Sequence, residues 1–413
     1  MNRVVVTGMG AITPIGNDIS SYWESLKNGK CGIGEITKFD TAQYKVKIAA
    51  EVRDFDPLQY MEKGDVSHSD RFTQFAMAAA CQAMADSGVQ GTIAPERFGV
   101  YFGTGIGGIE TFVSEHKKLL DKGPRRVSPY FIPMMISNMA AGMIAIRFGC
   151  KGAAMPAVTA CASGSSAIGE ALRAIRHGYA DAMIAGGAEA AINEIALAGF
   201  ANMKALSQAE NPLEASLPFD ARRGGFVMGE GAGALILEEY EHAKARGAHI
   251  YAELCGYGST CDAYHITAPH PQAEGGARAI FDAWTEAGAD TDNIYINAHG
   301  TGTPMNDSAE TLAIKKALGE DRARRAVISS TKSMTGHMLG AAGAAEAIAA
   351  IFAMNEEIIP PTIGLTVPDP ECDLDYAPLK AKKAKVDIAL STSLGFGGHN
   401  ACLAFKKIGG GRA

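Results

Sequence analysis

Ala157-Val158-Thr159-Ala160-Cys161-Ala162-Ser163-Gly164-Ser165-Ser166-Ala167 passes from an apolar, β-branched stretch into small residues. Ile168, Leu172 and Ile175 then recur at helical spacing, and Gly178 marks a stop. The pattern predicts a buried strand that delivers a helix, with Cys161 on the helix's first turn. Unpaired N–H groups and the helix dipole favour thiolate over thiol there. Ala162, Ser163 and Gly164 leave room for a substrate to approach the sulfur. Strand-to-helix transitions of this kind recur along the chain and predict α/β layers.

Three further junctions place a polar residue after a strand. Ile294-Tyr295-Ile296-Asn297-Ala298 ends in His299-Gly300-Thr301-Gly302-Thr303-Pro304. Ala326 to Thr331 leads to Lys332-Ser333-Met334-Thr335-Gly336-His337, and an alanine-rich helix is predicted from Met338 to about Met354. Ile388-Ala389-Leu390 leads to Ser391-Thr392-Ser393-Leu394-Gly395-Phe396-Gly397-Gly398-His399-Asn400. In α/β folds, active sites gather at that edge. Strands are also predicted at Phe98 to Phe102, Ala182 to Ala185, Ala234 to Leu237, Tyr251 to Cys255 and Ala401 to Phe405. Cys161 and His299 fall at similar places in the two halves of the chain, which points to internal duplication.

With 413 residues and 47% hydrophobic content, the chain can bury a core larger than one ordinary domain needs. It has no Pro/Ser linker and no charge run, so two closely packed halves are expected, residues 1–250 and 251–413. Eight cysteines are scattered singly without Cys-x-x-Cys or Cys/His ligand spacing, which predicts neither a metal site nor a disulfide framework. Met1-Asn2-Arg3 enters a strand at once, and Arg147 and Glu346 interrupt the most apolar helices. A cytoplasmic protein with no membrane span is expected. The net charge of −7 argues against nucleic acid as a partner.

Thr159-Ala160-Cys161-Ala162-Ser163, Asn297 to Thr303, Lys332 to Glu346 and Gly395 to Asn400 resemble the condensing enzymes of fatty-acid synthesis. The chain is similar to the elongating β-ketoacyl-[acyl-carrier-protein] synthases. Arg3 to Gly10 and Thr13-Pro14-Ile15-Gly16 match as well, and the similarity runs to about Lys407. The resemblance implies a thiolase-like fold, layered α-β-α-β-α with two pseudo-symmetric halves. It also implies decarboxylative condensation of an acyl chain held on Cys161 with malonyl-[acyl-carrier-protein]. No cofactor is needed beyond the phosphopantetheine of the carrier protein, and a homodimer is expected.

Each residue suits a step of that chemistry. A cysteine thiolate attacks thioesters and leaves readily from them. Two imidazole donors, His299 and His337, suit the charge that develops as carbon dioxide departs. His337 opens the alanine-rich helix, so the dipole should keep it neutral. Lys332 would orient the histidines and set the local charge. The backbone N–H groups of Cys161 and Phe396 would form an oxyanion hole, with glycines around Phe396 permitting the turn. Within the family, this phenylalanine gates the acyl site against the malonyl site, and the glutamate at Glu346 lies near the lysine and histidines. Thr301 and Thr303 are assigned to the pantetheine amides. Gly103 to Gly108 lacks the ending of a phosphate loop and is read instead as presenting Ile106 to an acyl tunnel, with Phe131, Met134 and Phe200 as further wall residues. An acidic carrier protein needs a basic patch on this acidic chain, for which Lys63, Arg71, Arg125, Arg126 and Lys204 are the candidates.

The chain departs from the family pattern at Leu394, where phenylalanine is common, and at His399, where threonine is common. Ser67-His68-Ser69 also stands where basic residues are frequent. A thiolase would need a second cysteine in the closing glycine loop, and a chain-initiating synthase would have asparagine at His337. A chain-length factor would lack Cys161. A polyketide-type ketosynthase and a non-catalytic carrier-protein-binding scaffold are the remaining alternatives.

Overall fold

A computed structural model describes residues 1–408; residues 409–413, the end of the expected second half, lie outside the described residues. One sheet of ten strands carries the fold. Its strands are β1 (Val4–Ile12), β2 (Phe98–Gly103), β3 (Ala154–Ala157), β4 (Ala182–Glu189), β5 (Gly231–Glu239), β6 (Ala252–Cys261), β7 (Ile294–Asn297), β8 (Val327–Ser329), β9 (Ile388–Gly395) and β10 (His399–Lys406). Their order is β8-β7-β9-β10-β6-β1-β5-β4-β2-β3. Every sequence-predicted strand is present, although several differ in their limits.

The order reveals the duplication. Strands β1 to β5 lie as 3-2-4-5-1, and β6 to β10 lie as 8-7-9-10-6, the same path shifted by five. Directions repeat too: β2 runs parallel to β3 and β4, and the β4–β5 and β5–β1 pairs are antiparallel. Likewise β7 runs parallel to β8 and β9, and β9–β10 and β10–β6 are antiparallel. The halves join where Val5 faces Glu253 and Val6 faces Ala252.

Glycines carry the same repeat. Gly8 and Gly10 on β1 lie under the helix Arg71–Ser87, where a Cβ would strike the carbonyls of Ala83 and Ala79. Gly256 and Gly258 on β6 lie under the helix Glu274–Glu286, where a Cβ would strike those of Ala283 and Ala279. Each half thus seats its outer helix on a Gly-x-Gly strand. Between the half-sheets lie the helices Ser163–Arg176 and Ala342–Glu356, which pack on each other and on strands of both halves. Small residues bring them close: a Cβ on Gly164 would press on the backbone of Gly340 and Ala344. The layers are therefore α-β-α-β-α.

Three local expectations are corrected. The strand before Cys161 covers Ala154–Ala157, not Ala157 to Cys161, and it is the exposed edge of the sheet. Pro156 is tolerated there because an edge strand needs fewer N–H donors. Cys161 lies in a single turn, Ala160–Ala162, just before the helix begins at Ser163. The alanine-rich helix begins at Ala342, not Met338, because Leu339–Ala341 forms its own turn and Leu339 has φ of 47°. The duplication also pairs the junctions differently. Cys161 follows β3, whose counterpart β8 leads to Lys332 and His337. His299 follows β7, whose counterpart β2 leads to the turn holding Ile106.

Candidate active site

The ends of β3, β7, β8 and β9 converge on one cavity of about 400 Å³, lined by Cys161, His299, His337, Thr301, Thr303, Phe200, Lys204 and Phe396 among others. Most of these were singled out from the sequence. The cavity is largely apolar at its walls, as expected for a site that handles acyl groups.

Cys161 is half-buried and lines this cavity. Burial pushes its thiol up to about 12, and the Glu189 carboxylate adds to the rise. The positive charge of Lys332 and the backbone N–H groups of Phe396 and of Cys161 itself pull the other way. Burial thus opposes the thiolate that the start of the helix was expected to favour. Cys161 precedes the helix rather than lying in it, and desolvation outweighs the favourable terms. The two N–H groups that meet at the sulfur are those expected to form the oxyanion hole. Phe396 begins the tight turn between β9 and β10, where Gly397 and Gly398 have φ of 84° and 76°.

His299 and His337 are 3% and 2% exposed, and their rings stand 5.2 Å apart. The loop behind His299 is held by Glu310, whose carboxylate accepts from the N–H groups of His299 and Gly300, both at 2.7 Å. The backbone N–H of His337 donates to Val227 O at 2.7 Å, and its carbonyl accepts from Gly229 N at 2.8 Å. Burial first, then the charge of Lys332, holds both imidazoles well below their usual range, and His337 adds to the effect on His299. The helix dipole expected at His337 is not the cause, because that helix starts at Ala342. In both rings Nδ1 is buried without a protein partner. A lone pair there costs less than an orphaned N–H, so the proton belongs on Nε2.

Lys332 is 1% exposed and pairs with Glu346 on the central helix. Burial pushes the Glu346 carboxyl up and Lys332 draws it back. Thr301 and Thr303 share a hydrogen bond of 2.9 Å at the cavity wall. Thr303 caps the helix Pro304–Leu318 by position but makes no capping bond with its side chain.

The remaining candidates are dispersed. Ile106 does not line the catalytic cavity; it lines a neighbouring apolar one of about 290 Å³ with Ile109 and Ile195. Phe200 and Met203 line both cavities and so form the partition between them. Phe131 lines neither and packs on Phe112, with 6.3 Å between ring centroids. Lys63, Arg125, Arg126 and Lys204 are exposed, and Lys204 lies at the cavity mouth. Arg71 is half-buried, with its guanidinium over Phe75 and its Nε shut from solvent, which withdraws it from the docking set. Glu310, Thr392 and Glu189 were missed. A carboxylate closing the otherwise apolar strand Ala182–Glu189 was the available signal for Glu189.

A cysteine and two neutral imidazoles share one apolar cavity, and a buried lysine paired with a glutamate acts on their charge, a set suited to thioester chemistry. The chain belongs to the beta-ketoacyl synthase family: residues 1–243 match the beta-ketoacyl synthase N-terminal domain and residues 251–366 its C-terminal domain. It is 54% identical over 408 residues to a 3-oxoacyl-[acyl-carrier-protein] synthase 2 of Synechocystis sp., covering 98% of each chain. A beta-ketoacyl synthase from Burkholderia phymatum superposes with a TM-score of 0.92 at 37% identity, covering 99% of this chain and 100% of that one. A type II PKS acyl-carrier protein in complex with its ketosynthase bound to the hexaketide gives a TM-score of 0.89 at 36% identity, over 98% and 100%. The layered fold is accordingly the thiolase-like one.

Proposed function

We propose that this protein elongates fatty acyl chains, condensing an acyl group held on Cys161 with malonyl-[acyl-carrier-protein] to give 3-oxoacyl-[acyl-carrier-protein] and carbon dioxide. The observation that carries this reading is the shared cavity of Cys161, His299 and His337. In the first half-reaction the Cys161 sulfur attacks the acyl thioester. The oxyanion is received by the N–H groups of Cys161 and Phe396, and the pantetheine thiol departs with the proton. In the second, malonyl-carrier protein loses carbon dioxide, and its electron pair moves onto the thioester oxygen facing His299 and His337. Both rings stay neutral with the proton on Nε2, so each offers one N–H donor to that oxygen. The resulting carbanion attacks the acyl-Cys161 carbonyl and expels the cysteine thiolate, which regains a proton.

Lys332 and Glu346 set the field behind the histidines, and Thr301 and Thr303 receive the pantetheine amides. Phe396 and Phe200 separate the malonyl and acyl sides, with Ile106 on the acyl side. Residues 1–250 thus supply the nucleophile and residues 251–413 the electrophilic set. The scheme uses no cofactor and no metal. An acidic carrier protein would meet Lys204, Arg125, Arg126 and Lys63. A homodimer fits the open edge of β3, where Met155 and Val158 are exposed next to the helix carrying exposed Ile146. Among the described residues no helix is long and apolar enough to cross a membrane, and the reading is of a cytoplasmic enzyme.

The test is mass spectrometry of the Cys161 peptide after incubation with acyl-carrier protein, followed by addition of malonyl-carrier protein. An acyl adduct that disappears as 3-oxoacyl-carrier protein forms supports the reading. A protein that binds carrier protein without forming an adduct would instead be the scaffold.

A further inference from the structure

Glu189 ends β4, 0% exposed and with no ion-pair partner among the described residues, close enough to Cys161 to act on its charge. Its two oxygens accept four hydrogen bonds. Oε1 takes Thr104 Oγ1 at 3.0 Å and Ile106 N at 3.2 Å, and Oε2 takes Gly105 N at 2.7 Å and Gly340 N at 3.0 Å. Thr104 Oγ1 accepts in turn from Gly107 N at 3.1 Å, so its hydrogen points to the carboxylate. All four partners are donors. A protonated Glu189 would have nowhere to give its hydrogen, so the group is ionised although burial pushes its carboxyl up.

Three segments meet on this one carboxylate. Thr104–Ile106 presents Ile106 to the acyl-side cavity. Gly340 closes the segment that follows His337. Ser163 Oγ donates its one hydrogen to Ala160 O, at 2.6 Å, in the turn of Cys161 and lies 3.2 Å from Thr104 O, and a Cβ on Gly103 would strike Ser163 O. The backbones are packed too tightly to move independently: a Cβ on Gly340 would strike Gly105 N, Thr104 and Glu189 itself.

We propose that Glu189 is a positioning residue that ties the acyl-side turn Thr104–Ile106 to the segment behind His337 and to the turn of Cys161, so that both half-reactions depend on one anchor. The proposal rests on Cys161 being the acyl carrier. The buried charge also opposes the thiolate, adding to the effect of burial on the Cys161 thiol.

Glu189→Gln and Thr104→Val, each in the full-length protein, test it. The readouts are the pH profile of Cys161 alkylation by iodoacetamide, acyl transfer from short and long acyl-carrier proteins, and malonyl-carrier protein decarboxylation. Glu189→Gln should move the alkylation profile to lower pH and slow both half-reactions by about tenfold, the scale of one lost charged hydrogen bond. Thr104→Val should leave the alkylation profile in place and raise the long-to-short transfer ratio by about threefold, the scale of one neutral bond. A Glu189→Gln protein with the wild-type profile and both wild-type rates overturns the proposal. If that variant does not fold, an unchanged transfer ratio in Thr104→Val overturns it. Failure of the wild-type protein to take an acyl group on Cys161 would sink the functional reading instead, and the alkylation profile would still judge the anchor.

Discussion

The imidazoles of His299 and His337 stand edge to face, with 5.2 Å between centroids and 87° between planes, and both are kept neutral by burial and by Lys332. Two donors from neighbouring strands of the second half, one after β7 and one after β8, can therefore converge on one oxygen. In the proposed reaction this pair forms the decarboxylating face of the site and Cys161 the acyl-carrying one.

Neutral buried histidines carry a stability cost in acid. Their folded pKa values lie below the ordinary value of 6.5, so the unfolded chain binds protons first as pH falls. Stability is fully present above that value and declines below it, by up to about 1.4 kcal/mol per pH unit for each ring. Melting temperature should fall from pH 7 to pH 5, with a shallower slope in His299→Asn. Equal slopes in the two proteins would show that His299 does not titrate this way.

Among the described residues, Glu346 is the one acid that pairs with Lys332. Glu346→Gln leaves a buried ammonium with no opposite charge in contact. We expect a loss of about 3–5 kcal/mol in denaturant unfolding, the usual scale for breaking a buried pair from one side. A loss below 1 kcal/mol would mean that water or Glu310 compensates.

Charge reversal at Arg125 and Arg126 together should raise the Michaelis constant for carrier-protein substrates and spare small acyl thioesters. Both residues are exposed on the turn Pro124–Arg126, away from the cavity lining. Added salt should produce the same selective effect in the wild-type protein. Equal impairment of both substrate types would argue against docking there.

Ile106 lies behind Phe200, in the smaller apolar cavity. Ile106→Phe should keep activity on short primers and lose it on long ones, because the bulk overpacks the route past the partition. Ile106→Ala should accept both. Long-primer elongation by Ile106→Phe at the wild-type rate would place the acyl chain elsewhere.

The strands were legible because each is a short apolar run bounded by glycine or polar turns, and β1, buried along its whole length, is the plainest case. Cys161, His299, Lys332 and His337 were legible because a polar residue after such a run is conspicuous. The limits of the Cys161 segment were misread because β-branched Val158 suggests a buried strand, whereas it is 52% exposed past the sheet edge. The pairing of junctions was misread because strand order cannot be seen in a linear chain. The Gly8/Gly10 and Gly256/Gly258 repeat gains meaning only once helices are seen to lie on it. Ile106 was expected on the acyl wall with Phe131 as a further wall residue, but the helix Glu194–Asn202 supplies the wall that reaches the first and not the second.

The central claim, a cysteine for acyl transfer and a histidine pair for decarboxylation, is tested by carbon dioxide release from malonyl-carrier protein by Cys161→Gln, alone and combined with His299→Ala or His337→Ala. The account predicts that Cys161→Gln still releases carbon dioxide while transferring no acyl group, and that removing either histidine slows release by roughly 10²–10³-fold, the scale of one lost oxyanion donor. Release at an undiminished rate without either histidine would contradict it.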